Sequence, residues 1–238
     1  MMHAWPSGFT TKRKDGERIT DQEIVEQVRH AVLMQRLPPG TRLPEVTLCE
    51  VFGVSRSVVR KALTRLASNY VVDQRPNQVC RVRAPGIEET RETFDARRLI
   101  EGEVVTLLAG TLPVDAMVEL ERLVQLEIDA FERGDESARI EHSLSLHFKL
   151  AECSVNRVLG NMLTDLVLRT SIVVALYKQA GSCYLPGDHD NLLAQLKKGD
   201  AQEARASLYR HLDSLEALLE LSAEESAIDL KSILGQQA

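Results

Sequence analysis

The sequence has few aromatic residues and no closely spaced pair of cysteines. Phe, Trp and Tyr make up 4% of 238 residues, which favours a helical aliphatic core over a β-sandwich. The four cysteines lie at least 30 positions apart, so no zinc knuckle or disulfide framework is predicted, as in a reducing cytoplasm. No run approaches the roughly 18 apolar residues of a membrane span, and no signal-peptide core is evident. We therefore expect a soluble, cytoplasmic protein that does not enter the membrane.

Charge is distributed unevenly along the chain. The whole sequence carries a net charge of −6. Residues 1–85 contain 14 Lys and Arg against 8 Asp and Glu, whereas residues 86–238 contain 15 against 27. The first segment is therefore basic by 6 charges and the second acidic by 12. We expect only the N-terminal segment to contact a polyanion such as double-stranded DNA.

The tripeptide Ala84-Pro85-Gly86 predicts a domain boundary. The expected fold class is mainly α, with an N-terminal winged helix-turn-helix that includes a small β hairpin, and a C-terminal all-α helical bundle. The four basic residues near the N-terminus are expected in a solvated tail, or in an arm along the DNA backbone. The predicted segments are a flexible tail at 1–18, the winged helix-turn-helix at 19–84, the bundle at 87–222 and a C-terminal tail at 223–238.

Local patterns predict three helices and a hairpin in the N-terminal module. Thr20 and Glu23 form a capping-box pattern before a helix that runs to about Gln35. A second helix spans 47–52 and ends at Gly53, and Ser55 is placed to cap a third. The segments 70–72 and 79–82 flank Pro76-Asn77, which is typical of the hairpin called a wing.

The third helix carries the candidate DNA-contacting side chains. Its apolar residues (Val58, Val59, Ala62 and Leu63) fall on one side, which leaves the polar residues of its N-terminal end facing outward. An arginine fork matches the two acceptors of guanine, and hydroxyls at a helix N-terminus hold phosphates. A solvated basic helix face is the alternative interpretation. The outward-facing residues are Ser55, Arg56, Ser57 and Arg60.

Two runs, 37–43 and 53–63, together resemble the winged helix-turn-helix of GntR-family bacterial transcription regulators, over about residues 20–83. The resemblance implies that Arg56 and Arg60 are the recognition-helix arginines. Members of this family carry an Arg-Gly step in the wing, where this sequence has Gln78 and Val79, so we expect little minor-groove insertion. The DNA contacts expected on this basis are Ser55, Arg56, Ser57, Arg60, Lys61 and Arg42.

The remainder of the chain is predicted to be helical almost throughout. Glycine, proline and asparagine separate six segments, and none shows the alternation of a strand. His147, His189 and His211 fall on three different segments, and they are either hydrogen-bonded core residues or metal ligands. The predicted helices are 88–110, 114–133, 135–155, 157–179, 187–198 and 201–222.

Residues 90–220 resemble the FCD ligand-binding domain of the FadR-like branch of that family. The match is carried by 94–101, by 147–152 with Asn156, and by 188–189 and 210–212. The resemblance implies a divalent metal, zinc or nickel, held by His147, His189 and His211. Related domains add an aspartate one turn before the first histidine, and this sequence has Ser143 there. The expected outcomes are a weaker metal site, a water in the place of the carboxylate, or no metal.

Two arginines are candidates for binding an anionic effector. Arg97 matches an arginine that faces the cavity in related domains, and Arg169 lies in the apolar stretch 166–174. A buried cation is costly unless it is paired or binds an anion. The alternative interpretation for each is an internal ion pair, with a carboxylate such as Glu101 or Glu152.

These features favour a ligand-responsive transcription regulator, expected to be a repressor. It would bind operator DNA as a homodimer and a small metabolite in its helical domain. A metal-dependent hydrolase built on the three histidines is the alternative, although the sequence has no H-E-x-x-H motif and no nucleophile elbow. A purely architectural DNA-binding protein would leave the acidic helical domain without a role.

Overall fold

The computed structural model describes residues 19–178 and 186–219. They form two compact units that divide between Ala84 and Pro85. Within the described ranges there are nine helices and three short strands, which confirms a mainly α fold with a small β component. The tails expected at 1–18 and 223–238, the last residues of two predicted helices and Cys183 lie outside the described residues.

The N-terminal unit is built from three helices and three strands. Its first helix begins with the predicted capping box, in which the Glu23 amide donates to the Thr20 hydroxyl and the Thr20 amide donates to the Glu23 carboxylate. Gly53 ends the second helix with a φ of 63°, a left-handed conformation that glycine adopts at little cost. The elements are α1 (Asp21–Leu33), β1 (Arg42–Leu43), α2 (Glu45–Phe52), α3 (Arg56–Ser68), β2 (Val72–Asp73) and β3 (Cys80–Val82).

The three strands form one antiparallel sheet in the order β1-β3-β2. Val72 pairs with Val82 across the hairpin, which agrees with the predicted wing. Strand β1, in which Leu43 pairs with Cys80, was not predicted, because two residues are too short to show an alternating pattern. The sheet therefore includes a strand that precedes α2.

Helix α3 differs from its prediction at the cap. The predicted cap residue, Ser55, makes no side-chain capping hydrogen bond. Its hydroxyl instead lies 2.8 Å from the hydroxyl of Ser57. Val59, Ala62, Leu63 and Leu66 of α3 are buried, whereas Val58 is only half-buried. The first turn of α3 therefore starts without a capping side chain.

The C-terminal unit is a bundle of six helices, close to the predicted segments. Helix α5 packs on α6, α4 packs on α7 and α9, and α8 packs on α9. Its core is mostly aliphatic, and its fully buried residues include Phe94, Leu120, Leu146, Leu163 and Leu208. The helices are α4 (Ile87–Leu108), α5 (Val114–Glu132), α6 (Glu136–Cys153), α7 (Arg157–Tyr177), α8 (Asp188–Lys198) and α9 (Ala201–Ala217).

Helix α7 corrects the expectation that no segment is long and apolar enough to cross a membrane. By length and composition this helix meets that criterion, and 44% of its most apolar 18-residue stretch is buried inside the protein. It packs against α4 and α6. A helix at the centre of a bundle is apolar on several sides, because its neighbours cover them. Its Asp165 and Arg169 form an ion pair one turn apart. We interpret α7 as a core helix.

The ends of α4 and α8 meet through two glycines. Gly110 and Gly199 both have a left-handed φ, 72° and 76°. A Cβ atom on Gly110 would lie 3.2 Å from the Cα atom of Gly199, and the Gly110 amide donates to the carbonyl of Leu196 at 3.0 Å. The two helices therefore approach each other backbone to backbone.

Gly160→Ala is expected to destabilise the C-terminal unit by about 1–3 kcal/mol, because the new Cβ atom would lie 2.4 Å from the backbone oxygen of Ala151. Gly102→Ala is the matched control, since its Cβ atom would meet the end of the Tyr209 side chain at 2.8 Å and that ring can move. Helix propensity favours alanine at both positions. Denaturant unfolding followed by circular dichroism measures both variants. Equal stability of the two would show that the α6–α7 contact adapts.

Candidate functional site

The polar face of α3 is exposed along its first two turns. Ser55, Arg56 and Ser57 are exposed at its start, and Arg60 and Lys61 follow one turn later. The Arg60 side chain is 64% exposed. Arg42 is also exposed, but it lies on β1 opposite Arg81, on a separate element. The structure therefore places five of the six predicted DNA-contacting residues together at one end of one helix.

Arg60 is paired with Glu45, the first residue of α2. Its Nε atom lies 2.9 Å from both carboxylate oxygens of Glu45. Within the described part of the chain, the Nη groups of Arg60 make no hydrogen bond, so they point to no protein partner. Glu45 was not predicted from the sequence, because its partner lies 15 positions away on another helix.

Lys61 and Arg65 connect α3 to α1. Both donate to Asp21, at 2.9 Å and 2.8 Å. These hydrogen bonds lower the pKa of the Asp21 carboxyl, since they favour its charged form. In the wing, Gln78 and Val79 are exposed, as expected of residues near its tip.

In the C-terminal unit, the three predicted histidines converge. His147 on α6, His189 on α8 and His211 on α9 are all buried. Each offers a ring nitrogen within 4.8 Å of the others, and the ring centroids are 4.6 to 5.5 Å apart. His142, also on α6, is half-buried and stays outside this group. We call these three residues the histidine cluster.

Each histidine of the cluster is held by a carboxylate at Nδ1. His147 lies 2.5 Å from Glu101, His189 lies 2.6 Å from Glu127, and His211 lies 3.3 Å from Asp188. An ionised carboxylate only accepts hydrogen bonds, so each Nδ1 is the donor. The second nitrogen, Nε2, is then the one left to bind a ligand in a neutral ring.

Burial and charge set the protonation of the cluster. Burial lowers the pKa of His147 to about 3 despite the nearby Glu101. Burial also lowers the pKa of His211. For His189, burial is outweighed by the charge and hydrogen bond of Glu127, which raise its pKa. His147 and His211 are therefore neutral at neutral pH, the form that binds a metal.

Glu127 is a buried residue of the site that the sequence analysis missed. Glu127 also lies 3.7 Å from Nη1 of Arg139. Its pKa is lowered, against the effect of burial, by His189, by Arg139 and by the nearby Ser143 hydroxyl. Ser143, at the position where related domains have an aspartate, therefore lies beside a carboxylate from α5. The sequence signal that could have identified Glu127 is its place in the apolar stripe of α5, between Leu123, Val124 and Ala130.

The two candidate effector-binding arginines lie in different surroundings. Arg97 is buried and its Nε donates to Glu101 at 2.8 Å, which is the internal ion pair expected as the alternative to effector binding. Its Nη2 atom is buried and, among the described residues, has no hydrogen-bond partner. Arg169 donates to Asp165, a residue of its own helix, rather than to Glu101 or Glu152, and is only half-buried. The reason is proximity, since residues four apart are neighbours on a helix.

The residues of the cluster fit a divalent metal. Nε2 of His189 is buried and lacks a hydrogen-bond partner in the described chain, a costly state for a polar atom. Carboxylates orient all three rings, as is usual for histidines that bind zinc. Three imidazoles with no carboxylate among the clustered ligand atoms suit zinc or nickel better than magnesium or calcium.

A helix-turn-helix unit with an exposed basic helix is typical of DNA-binding regulators, and here it is followed by a helical unit with a buried polar cluster. Comparisons with family models agree. Residues 20–82 match the model described as bacterial regulatory proteins, gntR family, and residues 92–214 match the FCD domain. The chain belongs to the GntR family of bacterial regulators and carries an FCD domain.

Individual relatives point to the same class. The chain is 26% identical over 233 residues to the Uxu operon transcriptional regulator of Escherichia coli K12, covering 84% of this chain and 87% of that protein. It is 25% identical to the regulator LutR of Bacillus subtilis 168, covering 80% and 96%. The solved structure of E. coli McbR/YncC superposes with a TM-score of 0.73 at 26% identity, covering 83% and 95%. These proteins are transcriptional regulators, not enzymes, and nothing in the comparisons supports the hydrolase alternative.

Glu101→Gln is expected to destabilise the C-terminal unit by about 3–5 kcal/mol, because it leaves Arg97 without its buried counter-charge. Glu203→Gln is the control, since the Glu203–Arg210 pair is exposed and should contribute less than about 1 kcal/mol. Denaturant unfolding in the presence of a chelator measures both. A loss below about 1 kcal/mol for Glu101→Gln would contradict the assigned role of this carboxylate.

Proposed function

We propose that this protein is a cytoplasmic homodimer that binds operator DNA through α3 and changes its DNA affinity when a small anionic metabolite binds the C-terminal unit. The observation that carries the proposal is the exposed end of α3, where Arg56 and Arg60 stand beside the hydroxyls of Ser55 and Ser57. A two-fold dimer matches a palindromic operator. Repression is the proposed outcome, as the simplest result of occupying a promoter; one relative is named as an activator, the Glc operon protein of Escherichia coli K12.

The proposed DNA contacts differ in kind. Arg56 and Arg60 read base edges in the major groove, because their guanidinium groups are exposed and match guanine. Ser55 and Ser57 hold phosphates at the uncapped start of α3. Lys61 and Arg42 contribute charge to backbone phosphates. To do so, Lys61 must exchange its ion pair with Asp21 for one with a phosphate. This exchange costs little free energy, because the Lys61 side chain is 68% exposed.

Arg60→Ala is expected to weaken binding to the preferred sequence by about 1–3 kcal/mol, because it removes a base-edge contact. The probe is the duplex that the wild-type protein enriches from a random double-stranded library, and fluorescence anisotropy measures affinity. Lys61→Ala should weaken all sequences more evenly and reduce the salt dependence by about one phosphate contact.

Two variants serve as controls for that measurement. Gln78→Ala in the wing should cost less than Arg60→Ala, and Arg91→Ala removes an exposed arginine from the acidic unit. An affinity of Arg60→Ala within twofold of wild type would contradict the assignment of α3. Failure of the wild-type protein to enrich any sequence would contradict the proposed function itself.

The proposed ligand site is the histidine cluster together with Arg97. When bound, a zinc or nickel ion would be held by Nε2 of His147, His189 and His211 and would supply a Lewis-acidic centre for oxygen atoms of the effector. Glu101 and Glu127 are balanced in part by Arg97 and Arg139, and Arg139 also pairs with Glu136. A bound divalent ion attracts an anionic effector, and Nη2 of Arg97, which has no hydrogen-bond partner in the described chain, is a donor for it. Arg169, already paired with Asp165, is left out of this site.

Metal binding is expected to depend on Glu127 and to be limited by Ser143. Glu127→Gln should lower zinc affinity about 10- to 100-fold, because His189 loses the carboxylate that orients it. Ser143→Asp should raise zinc occupancy, since it adds an anionic ligand one turn before His147. It should also lower the stability of the metal-free protein, because the new carboxylate would face Glu127.

Elemental analysis and thermal shift with zinc or chelator measure these effects. Ser143→Asn is the matched control of similar size without charge, and His189→Ala should abolish zinc binding. If the wild-type protein binds no zinc or nickel and Ser143→Asp gains none, the histidines are polar core residues and the proposed metal site does not exist.

A further inference from the structure

The ion pair between Glu45 and Arg60 engages only one edge of the guanidinium group. Both Glu45 oxygens lie 2.9 Å from Nε, so the carboxylate meets the side of the group. The opposite end, formed by Nη1 and Nη2, has no hydrogen-bond partner among residues 19–178 and 186–219. Two parallel donors at that end match the O6 and N7 acceptors of guanine. The pair therefore holds the side chain and leaves its base-reading end available.

Stability does not explain this pair. The side chains of Arg60 and Glu45 are 64% and 31% exposed, and exposed pairs contribute little to folding. A carboxylate on a surface that meets DNA also repels phosphates, which lowers affinity for every sequence. Glu45 therefore carries a cost for binding that an uncharged residue would avoid. What it provides is a constraint on where the Arg60 guanidinium can go.

Without that constraint, Arg60 has competing partners on DNA. An arginine with a free side chain reaches phosphates as easily as base edges, and phosphates carry no sequence information. A side chain that is already oriented loses less conformational freedom when it binds the base. The difference between guanine and other bases then depends on how firmly Arg60 is held.

We propose that Glu45 is a positioning residue that sets the sequence specificity of Arg60. This rests on the proposed function, namely that α3 reads DNA. Glu45 favours the guanine-reading orientation of Arg60 and disfavours its diversion to phosphates. Removing Glu45 separates two properties that usually fall together: selectivity decreases, while affinity for unselected DNA stays equal or increases.

The test uses the full-length protein and duplexes selected by the wild type from a random 20-base-pair library. The guanine read by Arg60 is the position at which Arg60→Ala loses its preference. Wild type should prefer guanine to adenine there by about tenfold or more. Glu45→Ala should reduce this preference at least threefold, with unchanged or tighter binding to an unselected duplex. Glu45→Gln, which keeps one acceptor for Nε, should lie between the two.

Controls separate positioning from charge and from folding. Glu50→Ala removes another exposed carboxylate from α2 and should leave the preference unchanged. In an Arg60→Ala background, Glu45→Ala should have no further effect on selectivity, because Glu45 acts through Arg60. Thermal unfolding shows whether each variant is folded, and Glu45→Gln remains informative if the alanine variant is not.

Three results would overturn the inference while leaving the proposed function intact. The first is a guanine preference in Glu45→Ala and Glu45→Gln equal to that of wild type. The second is an equal loss of selectivity in Glu50→Ala. The third is a selectivity loss from Glu45→Ala that persists in the Arg60→Ala background, which would mean that Glu45 contacts a base itself. A wild-type protein that selects no sequence would instead contradict the proposed function.

Discussion

The carboxylate of Glu101 is the group on which the C-terminal unit depends. It is fully buried, and it is bonded on one side to Arg97 of its own helix and on the other to His147 of α6. Taking a carboxylate out of water costs several kcal/mol, which is offset only by close and well-directed partners. The same contacts fix the tautomer of His147 and direct Arg97 toward the histidine cluster. One ion thus links α4, α6 and the histidine cluster.

Buried and exposed ion pairs serve different parts of the structure. In the C-terminal unit, Glu101 and Glu127 are buried and hold rings and guanidinium groups, whereas other pairs of this unit, such as Glu203–Arg210, are exposed. In the N-terminal unit, Arg60 and Lys61 form ion pairs in which the side chain of the basic residue is exposed. Exposed pairs exchange partners at low cost, which is compatible with the proposed transfer of these cations to DNA. The buried pairs thus lie in the helical bundle, and the pairs of α3 face solvent.

Much of the fold was predictable, because helices with clear apolar stripes and glycine or proline boundaries show their limits in sequence. The histidines were also visible, although their convergence depends on the packing of α6, α8 and α9, which no local pattern encodes. Glu127 and Glu45 were not predicted, since each acts through a partner far along the chain. Arg169 was assigned to an apolar interior from its neighbours, but its helix turns it toward Asp165. Local periodicity in the sequence predicts helices and strands. The partners of charged groups that lie far apart along the chain become visible only in the folded structure.

The contact between Gly110 and Gly199 has a mechanical consequence. Two backbones meet there without any side chain between them, so no change of rotamer can relax the contact or let one helix slide along the other. The hydrogen bond from Gly110 to Leu196 adds a polar contact at the same point, so this end of α8 is held to the end of α4 by backbone alone. His189 lies at the other end of α8, seven residues or about two turns before Leu196. A contact that contains no side chain thus anchors the helix that brings His189 into the histidine cluster.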